Sequence, residues 1–179
     1  GLDDLLFSSS VNGEGGQNAG KAYFVSSGDI VPGAVDLDYV NIAFIGEHVD
    51  DNAGAALTGL GDVDNDGLDD YAVSAPGADT NGDESGTIYV ITNTLMLNSA
   101  LSFSDVPIQI HGEAENDQAG FALSMMSDID GDGKNELLIG APYNDDAFNN
   151  GGKTYVVYGA SILAGALDLA NADMSFTGA

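Results

Sequence analysis

One short stretch decides the fold: Asp62-Val63-Asp64-Asn65-Asp66-Gly67-Leu68-Asp69-Asp70, which carries carboxylates at loop positions 1, 3, 5 and 9. Oxygen ligands at alternate positions can surround one Ca²⁺, a glycine at position 6 permits a sharp turn, and position 7 offers its backbone carbonyl. The same arrangement returns in Asp128-Ile129-Asp130-Gly131-Asp132-Gly133-Lys134-Asn135-Glu136. We therefore predict two Ca²⁺ sites. The first set of ligands is Asp62, Asp64, Asp66, Asp70 and the carbonyl of Leu68, and the second is Asp128, Asp130, Asp132, Glu136 and the carbonyl of Lys134.

The residues after each loop argue against an EF-hand. An EF-hand requires a bidentate glutamate at position 12, where this chain has Val73 and Ile139. A short apolar run follows each loop instead and ends at Pro76 or Pro142, as a strand does. Each loop is therefore predicted to join two β-strands.

Composition limits the classes of partner. The chain has 179 residues, 44% of them hydrophobic, which is enough for a folded core. Its 29 Asp and Glu residues stand against 3 basic ones, for a formal net charge of −26. Nucleic acid and anionic membrane surfaces are excluded as partners, because both require a cationic protein surface. Most of the acids outside the loops are expected to form a solvated acidic surface.

Cysteine and long apolar segments are both absent from the sequence. Without cysteine there are no disulfides, so bound Ca²⁺ would be the natural crosslink of a secreted protein of this kind. No apolar run approaches the length of a membrane span and no signal peptide is present, so we expect a mature or excised piece.

The chain repeats itself with a period of 66 residues. Without any gap, residues 20–25 align with 86–91 and with 152–157. The residues that coincide include Tyr23 with Tyr89 and Tyr155, Gly46 with Gly112 and Gly178, Gly54 with Gly120, Asp62 with Asp128, and Pro76 with Pro142. A fixed period of this length indicates a solenoid or a propeller.

Each period is predicted to hold four strands. The first leads into the cation loop, over about 54–61 and 120–127, and the second is the apolar run after the loop, which also occurs as Leu5-Leu6-Phe7-Ser8. The third carries the recurring tyrosine, and the fourth alternates apolar with polar residues, which indicates a half-buried strand. The apolar positions of the fourth strands are Val40, Ile42, Phe44, Val106, Ile108, Ile110, Ala172, Met174 and Phe176. We therefore predict an all-β fold of about three β-propeller blades, each a four-stranded antiparallel sheet, with the tyrosines packed between blades.

These residues resemble the FG-GAP repeats of the integrin α-subunit propeller and its bacterial relatives. The resemblance rests on the two D-x-D-x-D-G-x-x-[DE] loops, on Gly54-Ala55 and Gly120-Phe121 at the place of the Phe-Gly element, and on the triplets Ser74-Ala75-Pro76 and Gly140-Ala141-Pro142. It covers essentially the whole chain. It implies that the loops bind Ca²⁺ between the first and second strands of a blade. It also implies an adhesive or scaffolding role in a secreted or surface protein, for which we expect a bacterial or similar source.

The repeat frame predicts the blade boundaries. A partial blade is expected at 1–46, a blade with the calcium loop 62–70 at 47–112, and a blade with the calcium loop 128–136 at 113–179. Gly1-Leu2-Asp3-Asp4 aligns with the second half of a loop, so three full periods would need about 19 further residues. Because about three blades do not close a propeller, we expect part of a longer chain or a protomer of a ring or filament. The expected partners are further blades, copies of this chain, and a protein or glycan ligand.

The sequence offers little for catalysis. Its two histidines, His48 and His111, fall near the ends of fourth strands, where a surface or hydrogen-bonded role is expected, and no nucleophile elbow occurs. Carboxylate pairs of the glycosidase type lack specific support, because the loop spacing explains eight acids as Ca²⁺ ligands. We expect no enzymatic activity.

Two hypotheses of function remain open. The first is a calcium-binding FG-GAP module of an extracellular adhesion or surface-scaffold protein. The alternative is a noncatalytic or substrate-facing propeller portion of a secreted enzyme that acts on polysaccharide or lipid. The flanking sequence distinguishes them, because an adjacent catalytic domain would support the alternative.

Overall fold

The computed structural model describes residues 4–26, 42–92 and 101–178, together with positions 28, 33, 36, 37 and 40. The predicted half-loop at residues 1–3 and the final residue 179 lie outside the described residues. The strands are β1 (Leu5–Ser9), β2 (Lys21–Val25), β3 (Ile42–Ile45), β4 (Leu57–Gly61), β5 (Asp70–Ala75), β6 (Thr87–Ile91), β7 (Leu101–Ser102), β8 (Ile108–His111), β9 (Ala122–Met126), β10 (Glu136–Ala141), β11 (Lys153–Val157), β12 (Leu167–Asp168) and β13 (Met174–Thr177). A short helix, α1 (Gly159–Ile162), follows β11, and 3₁₀ turns occupy Phe103–Asp105 and Leu169–Asn171.

The strands form three sheets. Sheet one has the order β1-β2-β3-β7, sheet two β4-β5-β6-β8-β12, and sheet three β9-β10-β11-β13. In each sheet the three or four longer strands are antiparallel neighbours. The predicted all-β architecture of propeller blades is therefore confirmed, and each predicted Ca²⁺ loop joins the first and second strands of its sheet.

Sheet two is buried on both of its faces. Successive side chains of a strand point to opposite faces, so alternate residues of β5 and β6 enter two different cores. Ala72, Ile88 and Val90 belong to the core shared with sheet three. Val73, Tyr89 and Ile91 belong to the core shared with sheet one. The three sheets are thus stacked face to face, with sheet two in the middle.

Two short strands were not foreseen from the sequence. After the third strand of a repeat, the chain first reaches back to the preceding sheet and only then forms its own fourth strand. Leu101 and Ser102 of β7 pair in parallel with Phe44 and Ile45 of β3. In the next repeat β12 pairs in parallel with β8 in the same manner. Each two-residue strand therefore adds an outer strand to the sheet of the repeat before it.

The fourth strands differ in their burial. The predicted half-burial holds for β8, in which Ile110 is buried and its neighbours are partly exposed, whereas β3 buries both Ala43 and Phe44. All four residues of β13 are exposed, including Phe176 at 58%. Met174 and Phe176 point to the outer face of sheet three, which no other sheet of the described chain covers.

The recurring glycine at the end of each fourth strand marks a close approach of two backbone segments. A Cβ atom added to Gly112 would lie 1.9 Å from the carbonyl oxygen of Ser85, which no side chain can tolerate. The Gly112 N–H also donates a 2.8 Å hydrogen bond to the carbonyl of Gly86. Gly46 and Gly178 make the equivalent approach, at 1.9 Å and 1.8 Å. The periodicity of these glycines therefore follows from one backbone contact that occurs in all three sheets.

We expect Gly112→Ala to lower the free energy of unfolding by about 1–3 kcal/mol, because the added methyl group forces the two segments apart. The matched control is Gly59→Ala in β4, where an added Cβ meets no atom within 4 Å. This control should show no loss of stability. Chemical denaturation of both variants is the measurement, and equal losses would contradict the close contact.

Candidate metal sites

The first loop gathers three carboxylates between β4 and β5. Ligand oxygens of Asp62, Asp64 and Asp66 all lie within 4.8 Å of one another. The Asp66 N–H donates to Oδ1 of both other aspartates at 3.0 Å, and the Gly67 N–H donates to Asp62 Oδ2 at 2.9 Å. Gly67 has a φ of +89°, in the left-handed region that glycine permits. The backbone of the loop therefore wraps around the carboxylates and orients them toward one point.

Asp70 lies outside this group of three and anchors the loop. Its side chain is fully buried, and its Oδ2 accepts hydrogen bonds from the N–H groups of Val63 at 2.9 Å and Asp64 at 3.4 Å. Val63 is itself fully buried in the core between sheets two and three. The start of the loop is thus fixed both to β5 and to the core.

The second loop gathers a different set of acids. Ligand oxygens of Asp128, Asp130 and Glu136 lie within 4.8 Å of one another. Glu136 is fully buried, and its Oε1 accepts a 2.9 Å hydrogen bond from the Ile129 N–H. Its Oε2 is buried and has no hydrogen-bond partner among the described residues. Asp132 lies outside the group, and its Oδ1 accepts from the Lys134 N–H at 2.8 Å.

The residue at position 9 explains part of this difference. Glutamate is one methylene longer than aspartate, so one oxygen of Glu136 takes the anchoring role of Asp70 while the carboxylate also reaches the group. Two carboxylates beside a buried carboxylate oxygen without a partner form a costly arrangement unless a cation is present. Oxygen donors of this kind fit a hard divalent cation. The carbonyl ligands predicted at Leu68 and Lys134 stay predictions.

The side chain of Lys134 leaves its own loop and contacts the other one. Its Nζ donates a hydrogen bond to the carbonyl oxygen of Val63, at position 2 of the first loop. Next to it, Asn135 Nδ2 donates to the carbonyl oxygen of Leu60 at 2.8 Å. Positions 7 and 8 of the second loop are therefore attached to the first loop and the strand before it. The charge of Lys134 is directed away from the acids of its own loop.

We expect Asn135→Ala to lower the free energy of unfolding by about 1–2 kcal/mol, because it leaves the carbonyl of the fully buried Leu60 without this donor. Asn149→Ala is the control, since Asn149 is exposed in a turn of sheet three. Thermal denaturation of both variants measures the difference. An Asn135→Ala variant as stable as the control would show that this contact between the loops contributes nothing.

The two histidines lie in the kinds of place that the sequence predicted. The His48 side chain is exposed, with Nδ1 3.4 Å from Asp51 Oδ2. His111 is partly buried, and its Nδ1 lies 3.3 Å from the Thr87 hydroxyl. Burial lowers the pKa of His111, and the nearby Asp168 carboxylate opposes that effect in part.

Among the described residues, no helix is long and apolar enough to cross a membrane.

Two segments of the chain match the FG-GAP repeat family, at residues 53–91 and 119–157. Each segment contains one of the acidic loops and the first three strands of a sheet. The match therefore falls on the parts of the chain that build the two candidate sites.

Similar proteins include integrin α chains of animals. The chain is 38% identical to integrin alpha-PS3 of Drosophila melanogaster over 89 residues, which are 50% of this chain and 8% of that protein. It is 32% identical to integrin alpha-PS2 of the same organism over 157 residues, 83% of this chain and 11% of that protein. It is 29% identical to human integrin alpha-6 over 139 residues, 72% of this chain and 11% of that protein.

The chain thus spans about a tenth of the length of these relatives. They are animal proteins and do not support the expectation of a bacterial source. The acidic loops, the blade-like sheets, the family match and the integrin relatives all agree with one another, and the chain is accordingly an FG-GAP repeat protein.

Proposed function

We propose that this chain is a calcium-binding blade module of an extracellular or cell-surface protein that serves adhesion or scaffolding, without catalytic activity of its own. The observation that carries the proposal is the buried Oε2 of Glu136, which has no partner among the described residues and lies in a group of three carboxylates. The similarity to integrin α chains supports the adhesive context. No observation on the described residues favours the alternative of an enzyme-attached propeller.

Two sets of residues would hold the ions. In the first loop these are Asp62, Asp64, Asp66 and Asp70 with the carbonyl of Leu68, and in the second Asp128, Asp130, Asp132 and Glu136 with the carbonyl of Lys134. Bound Ca²⁺ would supply the positive charge that offsets repulsion among the carboxylates. The N–H groups of each loop already hold several of these carboxylates in place, so little reorganisation is required of the protein.

The partners proposed for the module are other blades and a protein or glycan ligand. Sheet three carries the exposed apolar residues Met174 and Phe176, whose counterparts in sheet two, Ile108 and Ile110, are partly and fully buried. A further blade, or a second copy of this chain, would bury them. The blade frame of 1–46, 47–112 and 113–179 is part of this proposal. In that frame β7 and β12 each pair with the sheet of the preceding blade.

We expect Ca²⁺ to raise the melting temperature. Each site with a dissociation constant near 10⁻⁴ M adds about 2.7 kcal/mol to the free energy of unfolding in 10 mM CaCl₂, which raises the melting temperature by about 5–10 °C per site. Differential scanning calorimetry in EDTA and in 10 mM CaCl₂ measures the shift, and isothermal titration should give a stoichiometry of two. Equal melting temperatures in the two buffers would contradict the proposal.

Variants of the first loop assign the effect to its residues. Asp64→Asn should remove about half of the calcium-dependent shift while leaving the midpoint in EDTA unchanged or slightly higher, because it relieves repulsion among the carboxylates. Asp69→Asn is the matched control, since Asp69 is exposed and is not a proposed ligand. The control should keep the whole shift.

We expect Glu136→Gln to have effects of opposite sign with and without metal. The amide can keep the acceptor for the Ile129 N–H while its NH₂ group donates to the neighbouring carboxylates. The free energy of unfolding in EDTA should therefore rise by about 1–3 kcal/mol, and the Ca²⁺ response of this loop should be lost. Glu115→Gln, at an exposed position outside the loops, should change neither quantity. A Glu136→Gln variant that is destabilised in EDTA would contradict this account of the site.

A further inference from the structure

The first and third repeats each hold a lysine ammonium against the recurring tyrosine. Lys21 Nζ lies 5.1 Å from the centre of the Tyr23 ring and 2.6 Å from Glu14 Oε2. Lys153 Nζ lies at the same 5.1 Å from the centre of the Tyr155 ring. It also contacts Glu113, at 2.9 Å and 3.0 Å, and Asp146, at 2.6 Å. The repeat thus has a recurrent place for an ammonium group, made of an aromatic ring and one or two carboxylates.

The second repeat lacks the lysine at this place. The position of Lys21 and Lys153 is occupied by Thr87, whose hydroxyl lies 3.0 Å from Thr80 Oγ1. Thr80 in turn stands where the third repeat has Asp146. The other two groups that surround Lys153 keep their counterparts, because Glu47 corresponds to Glu113 and Tyr89 to Tyr155. The second repeat therefore keeps the carboxylate and the aromatic ring that surround the ammonium group in the third repeat, but it has no lysine to supply that group.

A cavity of about 420 Å³ lies at this position, between sheets one and two. Its lining includes Glu47, Thr80 and Tyr89, the counterparts of the three groups that hold Lys153 in the next repeat. The carboxylates of Asp51 and Asp79 and the amide of Gln109 also line it. The cavity is thus acidic, and it is large enough for an alkylammonium chain.

Asp51 and Tyr89, two buried residues that line this cavity, lack a partner that their counterparts in the third repeat have. Asn144 Nδ2 donates to Asp117 at 2.7 Å and to the Tyr155 hydroxyl at 3.4 Å. Its counterpart in the second repeat is Ala78, which has no polar side chain. Tyr89 is only 5% exposed, and its hydroxyl makes no hydrogen bond to any described residue. A polar group of a buried side chain therefore faces the cavity without a hydrogen-bond partner in the described part of the chain.

The charge around the cavity is uncompensated by lysine or arginine of this chain. Burial raises the pKa of Glu47 and of Asp51, because a partly buried carboxylate loses some of the water that stabilises its charged form. The chain has 3 basic residues in all. Each of them contacts groups elsewhere: Lys21 contacts Glu14, Lys134 the Val63 carbonyl, and Lys153 Glu113 and Asp146. Of the residues that line the cavity, only the exposed His48 can carry positive charge, and it lies beside Asp51.

We propose that this cavity binds a primary ammonium group of a partner molecule, either the side chain of a protein lysine or a free alkylamine. Glu47 accepts hydrogen bonds from the ammonium, the Tyr89 ring lies against it, and the ligand's alkyl chain occupies the cavity. A divalent cation fits less well, because the groups of converging acids in the described chain lie in the two loops and include none of the acids of this cavity. The site is separate from the calcium loops and does not depend on the proposed function.

The test is a titration of ¹⁵N-labelled protein in 10 mM CaCl₂, which holds the state of the loops constant. The probes are n-butylamine, Nα-acetyl-lysine methylamide and the uncharged Nα-acetyl-norleucine methylamide. Both amines should give saturable shifts of the Gln109 side-chain amide and of backbone amides around Ser104, and the norleucine derivative should give none. Tighter binding of the lysine derivative identifies a protein lysine as the ligand, and equal binding identifies a free amine.

Variants separate this site from a general attraction to an acidic protein. Glu47→Gln should weaken binding about tenfold or more, because it removes a charged acceptor. Glu115→Gln makes the same change at an exposed position and should leave the affinity unchanged. Thr87→Lys should supply the internal ammonium of the other repeats and abolish binding. Shifts that persist unchanged in Glu47→Gln, or equal shifts with the norleucine derivative, overturn the proposal whether or not Thr87→Lys folds.

Discussion

The burial of sheet two on both faces is the constraint on which the rest of the structure depends. Because alternate residues of β5 and β6 enter separate cores, a one-residue slip of either strand would turn each set of side chains toward the wrong core. Strand β5, which follows the first loop, is therefore required to be apolar on both sides, unlike a strand with one solvated face. Within sheet two itself, the turn before β6 lies so close to the end of β8 that Gly112 has no room for a side chain.

The acidic loops depend on the same stacking for their shape. Val63 is fully buried between sheets two and three, whereas its counterpart Ile129 is 51% exposed. Lys134 and Asn135 attach the second loop to the first across the sheet boundary. The first loop is therefore supported by both its own sheet and the next one, and the second loop only by its own. A net charge of −26 makes this support important, since repulsion among acids favours open loops.

The features that the sequence predicted are the local ones. Period-two alternation, the 66-residue repeat and the D-x-D-x-D-G pattern located the strands, the tyrosines and the loops, because each depends on residues close together in the chain. The two-residue strands β7 and β12 carry too few residues for any periodicity, and their partners are more than 50 residues away. Which acids of each loop converge depends on the length and direction of their side chains, which the spacing along the chain does not show. The acidic cavity did leave a signal in the sequence, the Lys21, Thr87, Lys153 series, but its meaning required the neighbouring Glu47 and Tyr89 in three dimensions.

The pairing of β7 and β12 with the preceding sheets has a consequence for how this protein folds and unfolds. A sheet whose outermost strand comes from the next repeat cannot complete its hydrogen bonding until that strand has formed. The smallest unit that gains and loses structure together is therefore larger than one repeat, and its boundaries do not coincide with the sequence period. Hydrogen exchange along β8 would then report on the order of residues 167–168 as much as on its own sheet. A cut placed at the period would sever a hydrogen-bonded sheet, which makes the repeat a unit of sequence but not of cooperativity.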